Sequence, residues 1–169
     1  ETPTSSNNGF VKNLFTLKKY FNSNNSIFGF HGKLGNIFSL NNNDIVTDDK
    51  FSLGGRSLRG FDSYGVGPRN SRTSYIGGNN LAVLKLDYSY EITRKSNFPL
   101  YLNIFNDYGL IWENKTTPTQ SDNNIRSSVG LGIKYYSPVG PIGLSWGFPI
   151  MDEEYDIKRM FLFSVGNLD

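Results

Sequence analysis

Leu81-Ala-Val-Leu-Lys-Leu-Asp-Tyr-Ser-Tyr-Glu-Ile-Thr93 is the stretch that decides the fold. Ala82, Leu84, Leu86, Tyr88, Tyr90 and Ile92 fall on one side, and Lys85, Asp87, Ser89, Glu91 and Thr93 on the other. A period of two belongs to an extended strand with one apolar face, and a helix of 3.6 residues per turn cannot produce it. The pattern recurs to either side. Phe28, Phe30, Leu34 and Phe38 oppose His31 and Lys33; Leu102, Ile104, Tyr108, Leu110 and Trp112 oppose Asn103, Asp107 and Glu113. Val129, Leu131, Ile133 and Tyr135 oppose Ser128, Gly130, Gly132 and Lys134, and Ile142, Leu144, Trp146 and Phe148 oppose only Gly143, Ser145 and Gly147. The first and last segments are less regular, with Lys19 on the apolar side of the first. The sequence thus predicts seven strands, over residues 10–21, 26–39, 81–93, 100–113, 126–136, 140–149 and 160–168, and the prolines avoid their interiors, as a ladder requires.

The connections between these strands alternate in length. A short turn at Asn22 to Asn25 is followed by a loop over 40–80, a short link at Arg94 to Pro99 by a longer one from Asn114 to Ile125, and a tight Ser137-Pro-Val-Gly140 turn by the polar Met151 to Arg159 stretch. Outer-membrane barrels have this asymmetry, with short periplasmic turns and long outer loops, whereas a sandwich has no reason for it. Tyr20, Phe21, Phe28, Tyr88, Tyr90, Phe98, Tyr135 and Tyr136 lie beside the short turns and read as one aromatic girdle. Phe38, Trp112, Trp146 and Phe148 lie near the long loops and read as the other. The fold class is therefore all-β, an antiparallel transmembrane β-barrel, in one domain over 1–169. Seven is an odd number, and single-chain bacterial barrels have an even one. The chain is accordingly expected to be the C-terminal part of a larger barrel, and the lack of a signal peptide places the N-terminus of the intact protein upstream.

Composition excludes several classes. No apolar run reaches the ~18 residues of a transmembrane helix. Zero cysteines remove disulfides, zinc–thiolate sites and thiol catalysis. A net charge of +2 favours neither nucleic acid nor an acidic substrate, and Lys18–Lys19 and Arg94–Lys95 read as solvated strand ends. The 15% aromatic content and 18 glycines suit extended strands rather than helices.

The long loop carries Phe51-Ser-Leu-Gly-Gly-Arg-Ser-Leu-Arg-Gly-Phe61, then Gly65-Val-Gly-Pro-Arg69 and Gly77-Gly-Asn79. It has no G-x-x-x-x-G-K-[ST] and no following helix, so it is not a nucleotide-binding loop. Apolar Leu53, Leu58 and Phe61 among glycines point to a loop that folds back and packs inside its own barrel. Leu58-Arg59-Gly60-Phe61 resembles the V/L-R-G-F/Y signature of the outer-membrane assembly and two-partner secretion proteins. Phe105-Asn-Asp-Tyr-Gly109, Ser137-Pro-Val-Gly-Pro141 with Gly147-Phe-Pro149, and Phe161-Leu-Phe-Ser-Val-Gly166 resemble further motifs of that superfamily. The likeness is to its BamA-type assembly factors, also called the bacterial surface antigen superfamily. It runs from Phe10 to the end, and would map onto the last seven of sixteen strands.

That resemblance implies a set of roles. Arg59 would insert into the lumen and pair with Asp107, with Asp87 nearby; plain solvation of two luminal carboxylates is the alternative. A guanidinium fork suits such a clamp because it bridges two acceptors and stays charged. The strand holding Phe161, Phe163, Val165 and Gly166 would close the barrel weakly on its first strand and admit incoming strands at that seam. Gly130, Gly132, Gly143 and Gly147 would leave room for the loop. The implied function is to fold and insert β-barrel proteins into the bacterial outer membrane, or less readily the mitochondrial one. Its partners would be the lipid bilayer, unfolded outer-membrane clients and accessory lipoproteins, with periplasmic repeats upstream. The chain ends Gly166-Asn-Leu-Asp169 where the family usually ends on an aromatic residue. The alternative within the superfamily is a two-partner secretion or TamA-type transporter passing one polypeptide client. A simple porin would not need a packed Leu-Arg-Gly-Phe anchor. No enzyme is expected: the one histidine, His31, has Ser128 and Ser145 as conceivable partners, but no nucleophile motif surrounds either. Neither a metal nor a cofactor is implied.

Overall fold

The computed structural model describes residues 9–41, 44–70, 74–93, 97–113, 123–138 and 140–166. Its strands are β1 Phe10–Ser23, β2 Ser26–Ser39, β3 Gly60–Phe61, β4 Asn80–Glu91, β5 Leu100–Trp112, β6 Arg126–Ser137, β7 Gly140–Met151, β8 Lys158–Arg159 and β9 Phe161–Val165. Seven of these form one sheet in the order β1-β2-β4-β5-β6-β7-β9, every neighbour antiparallel, while β3 and β8 pair with each other alone. The order along the sheet is the order along the chain, which hairpin connections produce without crossovers. At the first hairpin, Ser23 pairs with Ser26 and Asn24 takes a φ of 47°, a left-handed turn conformation that asparagine tolerates.

The sheet is inside out relative to a protein folded in water. Phe15, Leu34, Ile104, Leu131 and Phe148 lie on one face and are exposed, whereas Lys85, Asn103, Asp107 and Ser128 on the other face are buried. Register fixes the two faces. Phe30, Leu86, Asn106, Val129 and Phe148 follow one another across the sheet on the outside, and His31, Lys85, Asp107 and Ser128 do so on the inside. An exposed apolar face of this extent is stable against lipid, not water. The buried apolar cluster is small and asymmetric: Ile37, Leu81, Val83 and Ile111 from the wall pack on Phe51, Leu53, Leu58, Phe61 and Val66 from the long loop. The core is thus made between the wall and its own loop.

Several sequence expectations need correction at their edges. The predicted 81–93 strand stops at Glu91, because Thr93 Oγ1 accepts the Leu100 N–H (2.8 Å) and a side chain replaces the next rung. The 140–149 strand runs on to Met151 through a bulge, the partner of Ser127 being Met151 and that of Ser128 being Pro149. The 10–21 strand runs on to Ser23, and 126–136 to Ser137, while 100–113 ends at Trp112. The predicted closing strand, 160–168, is only Phe161–Val165: Met160 precedes it and Gly166, at φ 84°, turns out of it, while 167 and 168 lie outside the described residues. Gly166 makes the last rung, its N–H donating to the Pro141 carbonyl (2.9 Å), and there the strand stops. Tyr20 and Tyr136 do not join a girdle. Their register puts them inside, where Tyr136 stacks edge-on against Tyr101 (5.7 Å between centroids). The two-residue strands β3 and β8 were not anticipated, because two-residue elements leave no periodicity to read.

The arginine loop as candidate functional site

Between β2 and β4 the chain leaves the wall, makes a short 3-10 turn at Thr47–Asp49 and folds into the concave side of the sheet. Glycines of the wall make the space. A Cβ on Gly35 would lie 2.6 Å from the ring of Phe51, one on Gly109 would lie 2.9 Å from Leu53, and one on Gly147 would lie 2.6 Å from the Gly60 nitrogen. Gly60 itself has φ 94°, so both partners in its contact with Gly147 require glycine. Of the glycines expected to make room, Gly147 does so directly. Gly130 does so through Phe105, whose ring fills the place of its side chain. Gly132 instead lies against the Leu144 carbonyl of β7, and Gly143 faces Ser164 of β9. Gly35 and Gly109 escaped notice because nothing in their own strands marks them as loop-facing.

The packed loop delivers Arg59 to two neighbouring wall strands. Asp107 on β5 accepts hydrogen bonds from the Arg59 backbone N–H (3.1 Å), Nε (2.7 Å) and Nη2 (2.6 Å). Asp87 on β4 accepts from Nη1 (3.0 Å) and Nη2 (3.1 Å). The central carbon of the guanidinium lies over the Phe105 ring, 3.6 Å from its centroid. Asp107 and Leu58 are fully buried, Arg59 nearly so. Burial pulls the Arg59 pKa down, but the Asp107 hydrogen bonds and the charges of Asp107 and Asp87 outweigh it. The pKa lies above the ordinary arginine value and the group is always charged. Asp87 also faces Lys134 (3.5 Å), and Lys85 donates to the Arg56 carbonyl (3.0 Å). The clamp is therefore a bidentate fork held between two carboxylates and an aromatic plate, the geometry for which arginine is irreplaceable.

Two further arginines were not singled out as site residues. Arg69, 2% exposed, donates to the Tyr64 and Gly65 carbonyls (3.0 and 2.9 Å) and holds the far side of the loop in shape. Beside it, burial raises the Tyr75 hydroxyl above the usual phenol range. Arg126, at the start of β6, binds Asp156 through Nε (2.8 Å), and both side chains are buried. No spacing signal joins a strand's first residue to one thirty positions on in a later connection. The closing strand turns Phe161, Phe163 and Val165 outward and Leu162 and Ser164 inward, following their partners Trp146, Leu144, Ile142, Ser145 and Gly143. His31 is buried on β2, with Ser128 three strand spacings away along the sheet, roughly 14 Å, and Ser145 one spacing further.

A long loop that seats an arginine inside a lipid-facing wall is a specific architecture, and the family comparison agrees with it: residues 2–168 match the Omp85 superfamily domain. The chain belongs to the Omp85 superfamily. Among its relatives, the outer membrane protein assembly factor BamA of Nitratidesulfovibrio vulgaris is 27% identical over 97% of this chain and 21% of its own length. A SAM50-like protein of Schizosaccharomyces pombe is 31% identical over 89% of this chain and 34% of its own length. In fold, the chain matches the crystal structure of BamA from Haemophilus ducreyi lacking POTRA domains 1-3, with a TM-score of 0.79 at 23% identity, over 95% of this chain and 35% of that one. It thus spans about a fifth to a third of these relatives. The superfamily is the one the Leu58-Arg-Gly-Phe61 motif indicated, the BamA relatives agree with the likeness drawn from Ser137-Pro-Val-Gly-Pro141, and this Omp85 segment has the antiparallel wall of an outer-membrane β-barrel.

Proposed function

We propose that this Omp85 segment takes part in folding and inserting β-barrel proteins into the outer membrane, and that it does so at a lateral seam beside β9. The supporting observation is the weakness of that closing ladder. β9 pairs with β7 over five residues, from Ile142 to Trp146, whereas β1 and β2 pair over the full length of both strands. A short ladder is the one most readily opened, and a strand edge opened in this way, with free N–H and C=O groups, is a template for strand addition. Phe161, Phe163 and Val165 keep this edge in lipid, so an incoming strand would meet it inside the bilayer, and Gly166 ends it. The partners in this reading are the bilayer, unfolded outer-membrane clients and accessory lipoproteins. The arginine clamp is then a scaffold that holds the lumen in one shape, and neither His31 nor Ser128 acts as a catalyst.

Depletion of the full-length protein, with quantification of all outer-membrane barrels and rescue by wild type or Arg59→Ala, tests this. Many unrelated barrels falling together, with poor rescue by the variant, is the expected result. Persistence of those barrels while one secreted polypeptide accumulates in the periplasm would instead make this a two-partner or TamA-type transporter.

A further inference from the structure

The chain that leads into β9 does not come straight from β7. After Met151 it crosses to the luminal side, where the turn at Glu153 to Asp156 is closed by the Glu153 N–H on Asp156 Oδ2 (2.9 Å) and the Asp156 N–H on the Glu153 carbonyl (3.0 Å). Arg126 grips this turn: Nε and Nη2 donate to Asp156 (2.8 and 3.4 Å), and Nη1 donates to the Asn124 carbonyl (2.8 Å). Asn124 reaches back to Glu153 (2.8 Å). The chain then runs beside the arginine loop. The Asp62 N–H donates to the Ile157 carbonyl (2.8 Å), the Ile157 N–H donates to the Gly65 carbonyl (3.0 Å), and Arg159 Nε meets Asp62 (3.2 Å). In the β3·β8 ladder, Gly60 faces Arg159 and Phe61 faces Lys158. A single residue, Met160, separates this ladder from β9, and its carbonyl accepts the Gly147 N–H (2.7 Å).

One residue of linker leaves no slack. A strand shifts register in steps of two residues, about 6.6 Å, if its side chains are to keep their faces. Phe161 therefore cannot slide along Trp146 while Arg159 stays on Gly60, and Gly60 is the residue after the clamped Arg59. We infer that the seated arginine loop sets the starting point of β9, and that Arg126 and Asp156 are positioning residues for the same strand. They hold the luminal detour so that the β3·β8 ladder forms, and through it the closing strand is kept in register on β7. Unseating Arg59 removes the inner ladder and frees β9, whereas breaking Arg126–Asp156 frees β9 and leaves Arg59 seated. The functional half of this inference rests on the insertase reading above: a lateral edge so tethered opens only when the loop or its neighbouring turn lets go.

The test is amide hydrogen exchange on the full-length protein in bilayer nanodiscs. Arg59→Ala, Arg126→Gln and Asp156→Asn are each expected to speed exchange at the β9 amides paired with β7 by at least about tenfold, with β1·β2 amides unchanged. The double variant Arg126→Asp with Asp156→Arg is expected to restore protection. Two glycines inserted between Met160 and Phe161 are expected to abolish the effect of Arg59→Ala on β9, since the tether then has slack. Unchanged β9 exchange in Arg126→Gln and Asp156→Asn overturns the inference, as does a rise shared equally with β1·β2. So does an Arg59→Ala effect that survives the glycine insertion. Should Arg59→Ala fail to insert, the Arg126 and Asp156 variants decide alone. Barrel levels in the same strains report on the other question: β9 loosened as expected with normal barrel levels upholds the tether and removes the insertase reading.

Discussion

Asp107 and Asp87 hold the same guanidinium, yet they are not equivalent residues. Asp107 takes three N–H groups from Arg59, one of them backbone, and has no exposure to solvent. Asp87 takes two, longer than the guanidinium's bonds to Asp107, and keeps Lys134 as a second cation. An amide at 107 would turn N–H groups toward Arg59 N–H groups in a dry site, and breaking a buried ion pair in this way costs about 3–5 kcal/mol. At 87 the lost hydrogen bonds are partly replaced by water, and about 1–1.5 kcal/mol is expected. Asp107→Asn should therefore lower the exchange protection of Leu58 to Phe61 amides by roughly a hundredfold or more, and Asp87→Asn by about tenfold. Equal losses would show that the two carboxylates share the load evenly, contrary to their geometry.

At the scale of the strand, the alternation in Leu81 to Thr93 says which side chains face lipid, and this gives a prediction with a sign. Leu131 sits mid-strand on the outer face of β6, and Lys33 sits on the inner face of β2. Leu131→Arg should cost about 2–4 kcal/mol, since it places a charge near the bilayer midplane, whereas Lys33→Gln should cost less than about 0.5 kcal/mol. Urea unfolding in lipid vesicles measures both, and a reversal of that order would invert the assignment of faces. The strands were legible because burial on one side writes period two into the sequence. Their ends were not, because they are set by single bonds such as Thr93 to Leu100, or by the bulge that carries β7 to Met151. The clamp was legible through the wall alternation together with the family likeness of Leu58-Arg-Gly-Phe61. What escaped were contacts made by the connections: β3 on β8, and the turn at Asp156 on Arg126 of β6. Such contacts have neither a period nor a spacing, since each residue type is ordinary in its own segment and only the fold brings them together.

For the molecule as a whole, the distribution of burial is the inverse of that in a water-soluble protein, and the loop explains how it is tolerated. A wall lined with Lys33, Lys85, Asp87, Asn103 and Asp107 cannot collapse on itself, because desolvating those groups without partners would cost several kcal/mol each. The loop supplies partners for some of them, Arg59 for Asp87 and Asp107 and the Arg56 carbonyl for Lys85. It also supplies apolar side chains, Leu53, Leu58 and Phe61, for the apolar inner patch at Leu81, Val83 and Ile111. Beside the loop a luminal cavity of about 530 Å³ stays open, its lining mixing His31, Lys33, Arg56 and Lys85 with Leu14, Leu81, Val83 and Leu162. Water is the solvent those charged side chains call for, and lipid the solvent the outer face calls for, so one sheet separates the two. Nitroxide labels placed one at a time on the full-length protein in vesicles should report that division. At Leu34, Ile104 and Leu131 relaxation should respond to oxygen, which concentrates in lipid. At Lys33 and Ser145 it should respond to a water-soluble nickel chelate. Oxygen dominance on both faces would mean a dry interior sealed by the loop, and chelate dominance on both would mean that this wall does not stand in the membrane.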